Sequence, residues 1–178
     1  MRSSFAEDII AQAAKEKLKK LHLSRRELSH GMVEELPESI GNLTNLTTLI
    51  LSSDIAHHSW LRTLPESIGN LTNLTTLILS NNRELRTLPE SIGNLTNLTT
   101  LILSNNSLTE LPESIGNLTN LTSLDLSDAN LTELPEWISD LTNLTSLILS
   151  SNSLTELPES IGNLTNLTTL NLAENSLS

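Results

Sequence analysis

The sequence contains no cysteine and no tyrosine, and only one phenylalanine and two tryptophans among 178 residues. Without cysteine there is no disulfide framework and no thiolate metal site. An aromatic share of 2% would be odd for an ordinary globular core, so the core should be aliphatic. Positive charge is also scarce beyond the first thirty residues. Residues 1–30 hold seven Lys or Arg against four acids, the remainder three against seventeen, and the formal net charge is -11. Such a surface repels nucleic acid and anionic membranes, so neither is an expected partner. The acids serve solubility on one reading and form an acidic docking face on another. No apolar run reaches the length of a membrane span, and Met1 to Lys20 has no signal-peptide core. No glycine-rich loop is present to cradle phosphate, and the pattern fixes no carboxylate beside any histidine. The expectation is therefore a protein that is not an enzyme and uses no cofactor.

What the sequence has in quantity is one motif. Leu-Pro-Glu or its equivalent starts a unit at Leu36, Leu64, Leu88, Leu111, Leu134 and Leu157, with spacings of 28, 24, 23, 23 and 23 residues. A fixed period between about 20 and 50 residues signals a solenoid. Within the unit Leu88 to Glu110, Leu98, Leu101, Leu103, Asn106 and Leu108 spell LxxLxLxxNxL. The alternation at Leu101, Ile102 and Leu103 predicts a short strand with one buried face, and stacked copies should build a parallel sheet. Asn106 should turn the chain out of the strand, its amide satisfying backbone groups of the bend and of its neighbour. Pro112 suits the first position of a helical turn, Ile115 and Leu118 should face inward, and Gly116 permits the turn to end. The recurrent Asn-Leu-Thr triplets, such as Asn70 to Thr72, read formally as glycosylation sequons but, without a secretion signal, as by-products of the repeat.

This unit resembles the leucine-rich repeat of the cytosolic 23-residue class, LPxxIxxLxxLxxLxLxxNxL, over Leu18 to the end. It is similar to repeats of bacterial and cyanobacterial Roco-type proteins and of plant intracellular Ras-group proteins. The resemblance implies an α/β solenoid: a horseshoe with a parallel concave sheet, irregular or helical convex segments and, in general, a protein partner. Extracellular relatives usually carry cysteine-rich caps, so their absence argues for a cytoplasmic origin.

In chain order, residues 1–35 read as an amphipathic cap helix running into a degenerate first repeat, and residues 36–178 as six repeats. Ser4 and Glu7 form a candidate capping box, with an apolar face of Phe5, Ile9, Ile10, Ala14 and Leu18. Leu21 and Leu23 match strand leucines, while Arg26 stands at the Asn position and Leu28 closes the turn. The run Lys15, Lys17, Lys19, Lys20 is either the solvated face of the cap or a basic patch for nucleic acid or membrane. The first repeat carries an insertion at residues 55–60 containing His57, His58 and Trp60. It is a recognition loop, or Trp60 folds back over the cap to cover leucine. A metal site from His57, His58 and His30 is a third reading, disfavoured because adjacent histidines on an extended loop point apart.

Arg62 and Arg86 occupy equivalent positions and should stack; with Arg83 they make a basic spot suited to a carboxylate, or to salt bridges with nearby Glu. In repeat four the ladder Asn is lost, with Asn130 one position late. In repeat five Trp137 replaces Ser, and Ser139-Asp140 replaces Gly-Asn, on the convex side. The solvent-facing strand column should be His22, Ile50, Ile78, Ile102, Asp125, Ile148 and Asn171. Its isoleucines make an apolar stripe that is either a binding surface or an expression of β propensity. Leu170, Leu172 and Leu177 have nothing to stack on, so the chain is either cut from a longer protein or associates as a homodimer through this end.

The function expected from these features is a non-catalytic scaffold for a protein or peptide partner, bound on the concave face or at the rim insertion. The alternatives are an engineered consensus array without a natural ligand, and the excised regulatory part of a larger signalling enzyme such as a Roco-type GTPase.

Overall fold

The computed structural model describes residues 5–24, 35–53 and 60–178. Seven three-residue strands form one parallel sheet in sequence order: β1 (Lys20–His22), β2 (Thr48–Ile50), β3 (Thr76–Ile78), β4 (Thr100–Ile102), β5 (Ser123–Asp125), β6 (Ser146–Ile148) and β7 (Thr169–Asn171). The central leucines of β1 to β6 are buried in the core, those of β2, β3, β4 and β6 wholly inaccessible to solvent, while Leu170 of β7 is exposed. One strand could not bury them; the stack does.

After β3 to β7 the chain turns through a residue in the left-handed region: Asn81, Asn105, Asp128, Ser151 or Glu174, at φ 65°, 56°, 48°, 57° and 56°. Asn and Asp tolerate this conformation best. The return segments are five-residue 3₁₀ helices, Glu38–Asn42, Glu66–Asn70, Glu90–Asn94, Glu113–Asn117, Glu136–Asp140 and Glu159–Asn163. Proline lies just before each one, in extended geometry at the N-cap instead of inside the first turn as the sequence implied. The narrow helix has a steric reason. Strands repeat about every 4.8 Å, while an α-helix is about 10 Å across, so one α-helix per strand would splay the stack.

Gly41, Gly69 and Gly93 serve this close approach, and Gly116 does not end its turn through a left-handed conformation as the sequence implied, for none of the described glycines has positive φ. A Cβ on Gly93 would lie 2.5 Å from Ser114 Cβ and 2.7 Å from Ser114 O; the corresponding approaches at Gly41 and Gly69 are as tight.

The cap helix α1 spans Phe5–Lys15. Its buried face is Ala6, Ile10 and Ala13, with Ile9 and Leu18 half-buried, so it is turned one residue from the expected face: Phe5 is 44% exposed and Ala14 lies outside. Small alanines let the helix sit directly on the first 3₁₀ segment, which Phe5 would hold away. Lys17, at φ 52°, closes the helix with a Schellman pair, Leu18 N–H to Ala13 O and Lys17 N–H to Ala14 O, both 3.1 Å. Ser4, Arg26 and Leu28 lie outside the described residues.

Three ladders of side-chain hydrogen bonds tie the units together. The buried one was foreseen at Asn106. Asn82 donates to Leu51 O (2.7 Å) and Leu79 O (2.9 Å), and its Oδ1 accepts from Ser53 Oγ (3.1 Å). Asn106 donates to Leu79 O and Leu103 O and accepts from Asn82 N–H. Asn152 and Asn175 continue the pattern. Between Asn106 and Asn152, Ala129, fully buried, fills the position, and the link from repeat four back to repeat three is missing.

The other two ladders run along the surface. Asn73, Asn97, Asn120, Asn143 and Asn166 each donate to a threonine carbonyl of the preceding unit at 2.7–2.8 Å. Thr75, Thr99, Thr122, Thr145 and Thr168 do likewise through Oγ1 at 3.0–3.1 Å. Threonines of the strand entry thus carry inter-repeat bonds.

Candidate partner-binding face

Because side chains alternate across a strand, the residue after each buried leucine faces the solvent side of the sheet. The register pairs His22 with Ile50, Ile50 with Ile78, Ile78 with Ile102, Ile102 with Asp125, Asp125 with Ile148 and Ile148 with Asn171. The column therefore stands as the sequence implied. Ile50, Ile78 and Ile102 are contiguous and half-buried, and their threonine partners Thr48, Thr76 and Thr100 form a parallel row.

Asp125 interrupts the apolar stripe. Its Oδ1 accepts from Ser127 N–H (2.9 Å) and Ser127 Oγ (2.7 Å), which fixes one oxygen in a local turn. Ile148 continues beyond it. Beyond that Asn171 repeats the arrangement, accepting from Ala173 N–H at 3.0 Å. The face thus runs from Lys20 and His22, exposed on β1, through three isoleucines to Asp125 and on through Ile148 to Asn171.

Arg62, Arg83 and Arg86 are exposed. The unit after Arg86 packs closely on it, with Thr109 N–H donating to Arg86 O at 2.9 Å. Trp60 belongs to the core: its ring is 4% exposed and joins the leucine cluster, so in this structure it offers a partner almost no surface. Its Nε1 finds no acceptor among the described residues. His57, His58 and His30 lie outside the described residues. Among the described residues no cluster of metal-ligating side chains gathers, and no helix is long and apolar enough to cross a membrane. Trp137, placed on the convex side by the sequence, is half-buried there and packs against the core.

A single open sheet in sequence order, an aliphatic interior and a continuous solvent-facing column define a solenoid built to display a surface, not to enclose a site. The chain belongs to the leucine-rich repeat family: the model of the leucine-rich repeat region matches residues 11–106 and 101–178. Its structure is similar to that of a leucine-rich repeat protein of Leptospira interrogans, at 39% identity and a TM-score of 0.73, over 79% of this chain and 34% of that one. It is also similar to the Toll–Spatzle complex of Drosophila, at 32% identity and 0.72 over 89% of this chain and 20% of that one. A third likeness is to the ectodomain of the receptor kinase GASSHO1/SCHENGEN3 of Arabidopsis thaliana in complex with CASPARIAN STRIP INTEGRITY FACTOR 2. There the values are 34% and 0.66, over 80% of this chain and 17% of that one. The chain spans about a third of the first and a fifth or less of the others. No curated protein matches it.

Proposed function

We propose that the chain is a non-catalytic scaffold that binds an extended segment of a protein across its concave face, with Ile50, Ile78 and Ile102 as the apolar anchor. The observation that carries this reading is the half-exposed isoleucine column on three adjacent strands, since soluble proteins rarely leave contiguous apolar area uncovered. Ile148 extends the anchor, and Arg62, Arg83 and Arg86 supply cationic groups at the N-terminal half for an acidic part of the partner. The array is preordered, so association orders little of it. Two of the similar structures are complexes with protein or peptide ligands.

Selection of a displayed random peptide library on the chain tests this. Peptides so obtained should lose affinity by about 10-fold or more on Ile78→Glu, because burying an isoleucine contributes roughly 1.5–3 kcal/mol. Peptides indifferent to both Ile78→Glu and Ile102→Glu would overturn the reading.

We propose further that two copies of this 178-residue chain meet through the last repeat. Leu170 and Leu177 are 43% and 39% exposed, Leu172 is half-buried beside them, and β7 has a strand neighbour on one side only. Light scattering should give twice the chain mass, reduced to one chain by Leu170→Glu. A single-chain mass for the unaltered protein at 100 µM, a concentration on the order of weak-dimer affinities, would sink the idea.

A further inference from the structure

The convex 3₁₀ segments read Glu-Ser-Ile-Gly-Asn in five of six repeats and Glu-Trp-Ile-Ser-Asp in the fifth. All three departures lie in Glu136–Asp140, and all three residues line one open groove of about 710 Å³ together with Leu111, Glu113 and Pro135. The change from Asn to Asp is nearly isosteric. In the other repeats an asparagine stands here, and Asn70 and Asn94 bring their Nδ2 to 3.0 and 3.1 Å from the Cβ positions of Gly41 and Gly69, one repeat earlier. Here that place is taken by Asp140 Oδ2, 3.3 Å from the Cβ position of Gly116, with Trp137 Cγ 3.7 Å from the same point. A neutral amide has become a carboxylate, and its Oδ2 and Trp137 Cγ lie within 4 Å of one point in a shared groove.

The groove has three carboxylates and no basic side chain. Glu136 is engaged, accepting from Ser160 Oγ at 2.6 Å. Glu113 and Asp140 make no hydrogen bond or ion pair among the described residues. An indole face next to uncompensated carboxylates attracts a cation over the ring. A guanidinium fits best, since it is planar, stacks on the ring and pairs in bidentate fashion with a carboxylate. We infer that Trp137, Asp140 and Glu113 form a second docking site on the convex face, which takes an arginine side chain of a protein or peptide partner. This site is separate from the concave column and does not depend on it.

The test uses a capped Gly-Gly-Arg-Gly-Gly peptide, its citrulline analogue and the full chain. Two tryptophans give two indole N–H signals, and Trp137→Ser identifies the one from the groove. The arginine peptide should shift the Trp137 signal saturably while Trp60, deep in the core, stays unmoved; citrulline should produce no shift. Asp140→Asn should weaken binding by at least about 10-fold, and Trp137→Ser should abolish the calorimetric binding signal. Both substitutions restore residues that five other repeats already carry, so the fold is retained. The inference falls if arginine gives no shift, if citrulline binds as well, or if Asp140→Asn leaves the affinity unchanged.

Discussion

Asn82→Leu should lower the stability of the array by about 3–4 kcal/mol, the cost of leaving buried backbone groups without partners. Asn82 is fully inaccessible, and leucine matches its size without its polarity. Leu79 O would keep one donor, Asn106 Nδ2, but Leu51 O would lose the 2.7 Å bond from Asn82, and Ser53 Oγ would lose its acceptor. Asn175→Leu provides the comparison. That amide is only half-buried, so water can replace it and the loss should be about 1 kcal/mol or less. Guanidinium unfolding followed by circular dichroism checks both. Equal losses at the two positions would mean that the ladder stabilises by local turn geometry and not through desolvated carbonyls.

Gly93→Ala should cost about 2–3 kcal/mol, at the upper end for one methyl group, because the neighbour it meets is backbone. Ser114 O lies 2.7 Å from the new carbon and belongs to the next 3₁₀ segment, so relief requires two repeats to move apart. Gly162→Ala is the control within the same motif. Nothing lies within 4 Å of its Cβ position, and alanine restricts the unfolded chain, so the change should be neutral or stabilising by up to about 1 kcal/mol. A loss at Gly162 equal to that at Gly93 would show that the motif needs glycine for its backbone conformation. Thermal unfolding of the two variants side by side decides between these.

The strands and their register were legible because the 23-residue period and the two-residue alternation constrain each other. Once Leu101 faces inward, Ile102 must face outward, and the period then aligns it with Ile78. The cap helix was less legible. Adjacent Ile9 and Ile10 fit two faces, and the choice was made by alanines that permit close contact, which a pattern of large apolar residues does not weigh. The insertion carried no periodic signal at all. Trp60 could equally have been rim or core, since no periodic position assigns it a face.

The two surface ladders were missed because Asn and Thr at exposed positions look like solubility. Their signal was available inside the chain: Asn and Thr recur at Asn73 and Thr75, Asn97 and Thr99, and Asn120 and Thr122 as faithfully as the leucines do. Residues that only meet water need not repeat.

Ala129 has a consequence for how the array comes apart. A solenoid is cooperative only insofar as each unit is coupled to its neighbours. Where alanine replaces the ladder amide, repeats three and four lack the buried hydrogen bond and are joined by the strand pair, the surface bonds, the close approach of Gly93 to Ser114 and the packing of their leucines. The molecule thus has a fault line near its middle, on one side of which lie the cap and the isoleucine anchor, and on the other Trp137 and the exposed leucines. Opening along it would release the C-terminal block while leaving the three-isoleucine face assembled.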